Sequence, residues 1–193
     1  MRPYVVFILA CACALAGGLA AYAQSGPAPP PASTTTTTAK AKTTRANAPD
    51  YVARQLQRII DRYRRQVWHW QRVMGHPVTL ELSNPRRQLA DRVPAWQRVA
   101  KRTWRRAKNP PHESAWRCIQ RFEGAWTDPG SPYYGGLQMD LGFQRRYGAY
   151  LLRRKGTADR WTPLEQMWVA ERALRAGRGF YPWPNTARSC GLL

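Results

Sequence analysis

At 193 residues the chain has room for one modest domain with appendages, or two very small ones, and no more. Its hydrophobic fraction of 44% can fill a core, and nine Trp and nine Tyr against four Phe favour amphipathic rings, which stack on sugars and also build small cores. The formal net charge of +20 predicts a polyanionic partner and leaves three classes standing: nucleic acid, anionic wall polymers and membrane surfaces.

Met1, Arg2 and Pro3 make a short positive start, Tyr4 to about Ala20 is an apolar run, and Ala21-Tyr22-Ala23 is a small-x-small cleavage site before Gln24. This pattern predicts a secretory signal peptide over residues 1–23, and the run is short for a membrane anchor. Ile8-Leu9-Ala10-Cys11 does not read as a lipoprotein signal, because apolar sequence continues well past the cysteine. The expected location is therefore outside the cytoplasm, secreted or in the cell wall, and intracellular nucleic acid drops from the list of partners. Cys11 and Cys13 would leave with the signal. Cys118 and Cys190 remain, and in an oxidising compartment a lone pair most simply forms one disulfide. The bridge would close a loop of about 72 residues, worth on the order of 4 kcal/mol by chain entropy.

Residues 24–49 are rich in Pro, Ala and Thr, with five consecutive threonines, Thr34 to Thr38. So few large apolar side chains cannot offset ordering entropy, which predicts a disordered spacer. Residues 50–110 form a basic, Trp- and Arg-rich helical segment. From Asp50 to about Met74, Val52, Leu56, Ile59, Ile60, Tyr63, Val67 and Trp70 recur at three- and four-residue intervals, and arginines fill the other faces. Gly75-His76-Pro77 ends this helix. Val78 to Leu82 reads as a short extended piece. A second helical stretch runs from about Pro85 to Lys108, interrupted or restarted near Pro94, and Asn109-Pro110-Pro111 breaks the chain. From Lys40 to Pro110 there are 18 basic and 4 acidic residues, against 12 and 7 from Pro111 onward, so most of the charge lies upstream of the last domain. The two basic helices fit a nucleic-acid reader, a membrane-surface element, or a solvated hairpin packed on the domain. His69, His76 and His112 are scattered with no ligand spacing, so no metal site is read, and no cofactor is implied.

Residues 111–193 carry the chemistry. Ser114 to Trp126 reads as one helix with an apolar stripe of Trp116, Ile119 and Phe122, and Gly124 loosening its end. Glu123 lies at the helix C-terminus, where the dipole disfavours an ionised carboxylate, and Phe122 and Trp126 flank it with apolar surface. Both effects favour the protonated form that a general acid needs. A turn-rich loop, Thr127 to Pro132, leads to Tyr133-Tyr134-Gly135-Gly136-Leu137-Gln138 and a helical run from Phe143 to Tyr150. Paired glycines let backbone approach a ligand, the tyrosines offer stacking faces, and Gln138 offers a donor and an acceptor to a sugar. Thr162-Pro163-Leu164-Glu165 reads as a capping box that opens a helix ending at Gly177. Glu171 within it is expected to pair with a neighbouring Arg, the alternative being a second active carboxylate. Phe180-Tyr181-Pro182-Trp183-Pro184 is expected to pack on the helix of Glu123 beside the disulfide, the alternative for Trp183 being stacking on sugar.

Trp116-x6-Glu123, then Tyr134-Gly135-Gly136-Leu137-Gln138, Ala170-Glu171-Arg172-Ala173, and Trp183-Pro184 before a final cysteine together resemble the resuscitation-promoting factor family. The resemblance covers about residues 113 to 192. It implies a mainly α fold (α+β, lysozyme-like) and a transglycosylase-type cleavage of the β-1,4 bond between N-acetylmuramic acid and N-acetylglucosamine in peptidoglycan. It assigns catalysis to Glu123, and it implies that Gly135, Gly136 and Gln138 line the cleft, with Trp126, Tyr133 and Tyr134 as further substrate contacts. The family's cysteine stands directly before the glutamate, where this chain has Phe122. Here it is Cys118, one helical turn earlier, and Cys190 is displaced by four residues as well, consistent with a relocated disulfide. Peptidoglycan strands are the implied partner, with anionic wall polymers or a membrane surface as partners of the basic helices. Two other classes stay open: a non-catalytic glycan-binding or signalling module, and a basic membrane- or polyanion-binding protein.

Overall fold

The computed structural model describes residues 48–82 and 88–193, which lie within one compact unit. The expected signal peptide and nearly all of the expected linker lie outside the described residues. The protein is mainly helical. In chain order come α1 (Ala48–Met74), α2 (Leu89–Ala107), α3 (Glu113–Glu123), a hairpin of β1 (Tyr133–Tyr134) and β2 (Met139–Asp140), α4 (Leu141–Tyr147) and α5 (Ala149–Lys155). A short turn of helix (Ala158–Arg160), α6 (Pro163–Ala173), a wide turn (Leu174–Arg178) and α7 (Pro184–Ser189) complete it.

Periodic apolar residues on α1 and α2 zip the two helices together: Ile60 and Val67 bury against Trp96 and Ala100. The second helix starts at Leu89 and runs unbroken through Pro94, and residues 78–82 form no strand. α1 ends at Gly75, where φ of 72° lets the Gly75 N–H reach the Arg72 carbonyl and the His76 N–H reach that of Gln71. These two bonds are a Schellman cap, a conformation that a side chain at Gly75 would strain.

The hairpin of helices is welded to the C-terminal half. Val73, Met74 and Ala107 belong to the same core as Trp116, Ile119, Leu137, Met167 and Trp183. Of the three fates open to the basic helices, packing on the domain is the arrangement found. Polar bonds complete the joint: Trp168 Nε1 donates to the Ala107 carbonyl at 2.6 Å, and Arg175 donates to the Met74 carbonyl. Glu165 is its buried hub, 1% exposed, with Lys155 Nζ at 2.7 Å and His69 Nε2 of α1 at 3.0 Å. The Thr162 N–H also donates to it, at 2.8 Å, completing the capping box read from the sequence. Burial alone would raise this carboxyl, but the bonds from His69, Lys155 and Thr162 outweigh it and hold the group at about 2.

Candidate functional site

α3 is set by Ala115, Trp116 and Ile119, which are buried. Trp116 donates its indole N–H to Glu171 at 2.8 Å and meets Phe180 and Trp183 at ring distances of 5.0 and 5.2 Å. The expected stripe stops there. Phe122 is 59% exposed, because the helix ends at the next residue, short of Trp126, and no described element covers that face. The apolar wall expected from Phe122 beside Glu123 is therefore missing.

Glu123 is the last residue of α3 and is half-buried. Its Oε1 accepts the Thr186 hydroxyl at 2.8 Å, and Oε2 has no partner among the described residues. Thr186 stands in the first turn of α7, which Pro184 opens. Two anchors hold that helix in place. Trp183, only 4% exposed, donates its indole N–H to the Leu137 carbonyl at 2.6 Å, so it is a core residue and offers no face to a sugar. The second anchor is the Cys118–Cys190 disulfide, with Cα atoms 6.0 Å apart, which joins α3 to the residue just after α7.

The loop that follows Glu123 folds around Asp128. Its carboxylate accepts the Gly130 N–H and Gln138 Nε2, each at 2.9 Å, and its carbonyl accepts the Gly135 N–H at 2.8 Å. Gln138 also donates to the Gly135 carbonyl at 3.0 Å, so its amide hydrogens are spent on the turn. Its φ of 46° is uncommon for a residue with a Cβ and is held by these bonds. Gly124, the neighbour of Glu123, abuts this hub: a Cβ there would lie 3.2 Å from Asp128 Oδ2 and 3.3 Å from Gln138 Nε2. The end of α3, Asp128 and Gln138 are thus contiguous.

Gly135 and Gly136 are both buried. A Cβ on Gly135 would fall 2.6 Å from Gln166 Oε1, and one on Gly136 would fall 2.9 Å from Trp126 Cε3. The glycines are required here for close packing of the turn. Gln166, fully buried, in turn donates to the Trp126 carbonyl at 2.7 Å and so fixes that half-buried tryptophan. Tyr134 is half-buried, while Tyr133 at 51% exposure presents an open aromatic face beside the turn.

Glu123 differs from every other carboxylate of residues 111–193. Glu113 pairs with Arg117, Asp159 lies by Arg160, Asp140 caps α4 through the Phe143 N–H, and Asp128 and Glu165 have the partners given above. Glu171 is 1% exposed and pairs with no arginine: it accepts Trp116 Nε1, and His112 supplies both its backbone N–H and its ring. An arginine would have had to be buried with it, whereas His112 reaches it from the start of α3. Glu123 alone is left, among the described residues, with a hydroxyl as its partner.

Sequence reasoning missed Thr186, Gln166 and the His112–Glu171 pair. Only the disulfide, by setting residues 183–190 beside α3, offered a signal for Thr186. No family model matches the chain, and none of the curated proteins or solved structures matches it.

Proposed function

We propose that the protein is an exported peptidoglycan-cleaving glycosidase of the lytic transglycosylase or muramidase type, related to the resuscitation-promoting factors, with Glu123 as its acid and base. The observation that carries this reading is the isolation of Glu123. Six of the seven carboxylates of residues 111–193 are engaged by an N–H group or a neighbouring cation, whereas Glu123, at the end of α3, has only the Thr186 hydroxyl among the described residues. Thr186 donates to Oε1, which leaves Oε2 as the oxygen that exchanges a proton with the glycosidic oxygen on this reading. As the bond between N-acetylmuramic acid and N-acetylglucosamine breaks, Glu123 protonates the leaving oxygen. The resulting carboxylate then takes the proton of the muramic acid's own C6 hydroxyl, which closes a 1,6-anhydro ring.

A two-carboxylate hydrolysis requires a second acid facing the sugar. Asp128 is occupied by Gln138 and Gly130, and Asp140 by the N-terminus of α4, which favours the single-acid route. Tyr133 is the side chain best placed for substrate contact on this reading, and the cationic outer faces of α1 and α2 hold the enzyme near anionic polymers of the wall. Mass spectrometry of muropeptides released from purified sacculi tests it. The wild type is expected to leave anhydro ends, one water lighter than reducing ends, and Glu123→Gln to lower their release by at least about 100-fold. Undiminished cleavage by the Gln variant would overturn the assignment, and retained binding with no cleavage by the wild type would make the protein a glycan-binding module.

A further inference from the structure

A cavity of about 210 Å³ opens where the end of α1, residues 75–79 and α2 meet, on the helical hairpin and separate from Glu123. Arg102 and Arg106, one turn apart on α2, line it together with Thr103 between them, and His76 faces them from the loop. No carboxylate lines it, and neither arginine has an ion pair among the described residues. Like charges at this spacing on a helix repel, and among the described residues no ion pair offsets that repulsion. The opposite wall is fixed. Gln71 donates to the Thr79 hydroxyl at 2.8 Å and accepts the Thr79 N–H at 3.0 Å, and the loop is tied down further by Trp68 donating to the Thr79 carbonyl. Met74, 1% exposed, contributes apolar surface to the lining.

We infer that this cavity binds a phosphate group carried on a small ester such as a glycerol phosphate unit. Arg102, Arg106 and Thr103 bring to one lining the guanidinium and hydroxyl donors that a tetrahedral oxyanion accepts, and guanidinium–phosphate bonds are short and charge-assisted. The volume is below the range of about 300–1,000 Å³ typical of drug-sized ligands, which suits a single phosphate with the first atoms of its ester. A positive field already acts at the site: His76 is held below its ordinary value by burial and by the Arg175 and Arg106 guanidiniums. An anion seated between the arginines would cancel part of that field and move the His76 titration upward.

The test uses the full-length protein and follows the His76 ring by NMR, assigned with His76→Gln, during titration with sn-glycerol 3-phosphate. The expected result is a saturable shift and a raised His76 midpoint, with binding weakened at least tenfold in Arg102→Gln/Arg106→Gln. Arg58→Gln/Arg62→Gln, which removes the same charge elsewhere on the hairpin, is expected to leave binding within twofold. A response that does not saturate, that acetate reproduces at equal ionic strength, or that both double variants weaken alike would overturn the site. Vesicles of phosphatidylglycerol, with phosphatidylcholine as control, identify the source. Displacement of these vesicles by glycerol 3-phosphate assigns the site to lipid headgroups, and glycerol 3-phosphate binding without vesicle binding assigns it to soluble or polymeric phosphates. Vesicle binding that glycerol 3-phosphate neither accompanies nor displaces would overturn the cavity in favour of simple attraction to the basic surface. Each outcome is independent of cleavage by Glu123.

Discussion

Glu123 and Thr186 stand 63 residues apart in the chain and 2.8 Å apart in space. A hydroxyl that donates to one carboxyl oxygen fixes the rotamer of that carboxyl and decides which oxygen faces a substrate. Thr186→Val keeps the shape and removes the donor, and an interaction of this kind is worth about 1–2 kcal/mol. We expect the variant to release muropeptides about tenfold more slowly, with a melting temperature close to that of the wild type. Steady-state assays on solubilised glycan beside thermal melts check this, and a large loss of stability would instead make Thr186 a packing residue. The position of Glu123 at the end of α3 was legible at this scale, as was the spacing from Trp116 and from the glycine pair that singles it out. Thr186 was not, because a threonine after Pro184 carries no mark of what it will face.

Among the elements, α6 does the most to organise the fold. Glu165, Gln166 and Glu171, all buried, reach out from it to α1, to the Trp126 carbonyl and to the start of α3 respectively. Glu165 gives this a pH signature. Its folded value of about 2 lies below the ordinary 4.5, so its stabilisation is complete above pH 4.5 and is lost as pH falls toward 2. The size is on the order of 3 kcal/mol. Thermal melts between pH 7 and pH 2 are expected to be level until about pH 4.5 and to decline below it. Glu165→Gln, less stable at neutral pH, should show a shallower decline over the same window. Helix positions were largely legible from three- and four-residue periodicity, and the capping box at Thr162 from its residues alone. The ends were less so: Phe122 continued the apolar pattern on paper but lies beyond the reach of any neighbouring element.

At the scale of the whole molecule, a shared hydrophobic core, a polar joint and a disulfide hold the described parts together. The Cys118–Cys190 bridge spans 72 residues, so its loss should cost about 4 kcal/mol by chain entropy. For a folded unit of this size, that corresponds to roughly 10 °C in melting temperature. Cys118→Ser/Cys190→Ser is also expected to lose more activity than stability alone explains when assayed well below its melting point, because α7 carries the Thr186 hydroxyl. Activity equal to the wild type at low temperature would show that packing around Trp183 suffices to hold α7.

The amino-acid sequence alone determined most of the helices, which depend on residue type and short spacing, and the pairing of Cys118 with Cys190, which depends on those two being the cysteines present beyond the apolar N-terminal run. Tertiary structure decided between alternatives the sequence left open: the basic hairpin shares a core with the C-terminal half, and Trp183 packs against Trp116 as expected and offers no face to a sugar. It also decided which carboxylates are consumed by buried partners. Those outcomes depend on groups tens of residues apart meeting in space, and side-chain burial is a property of the assembled fold that local pattern does not encode.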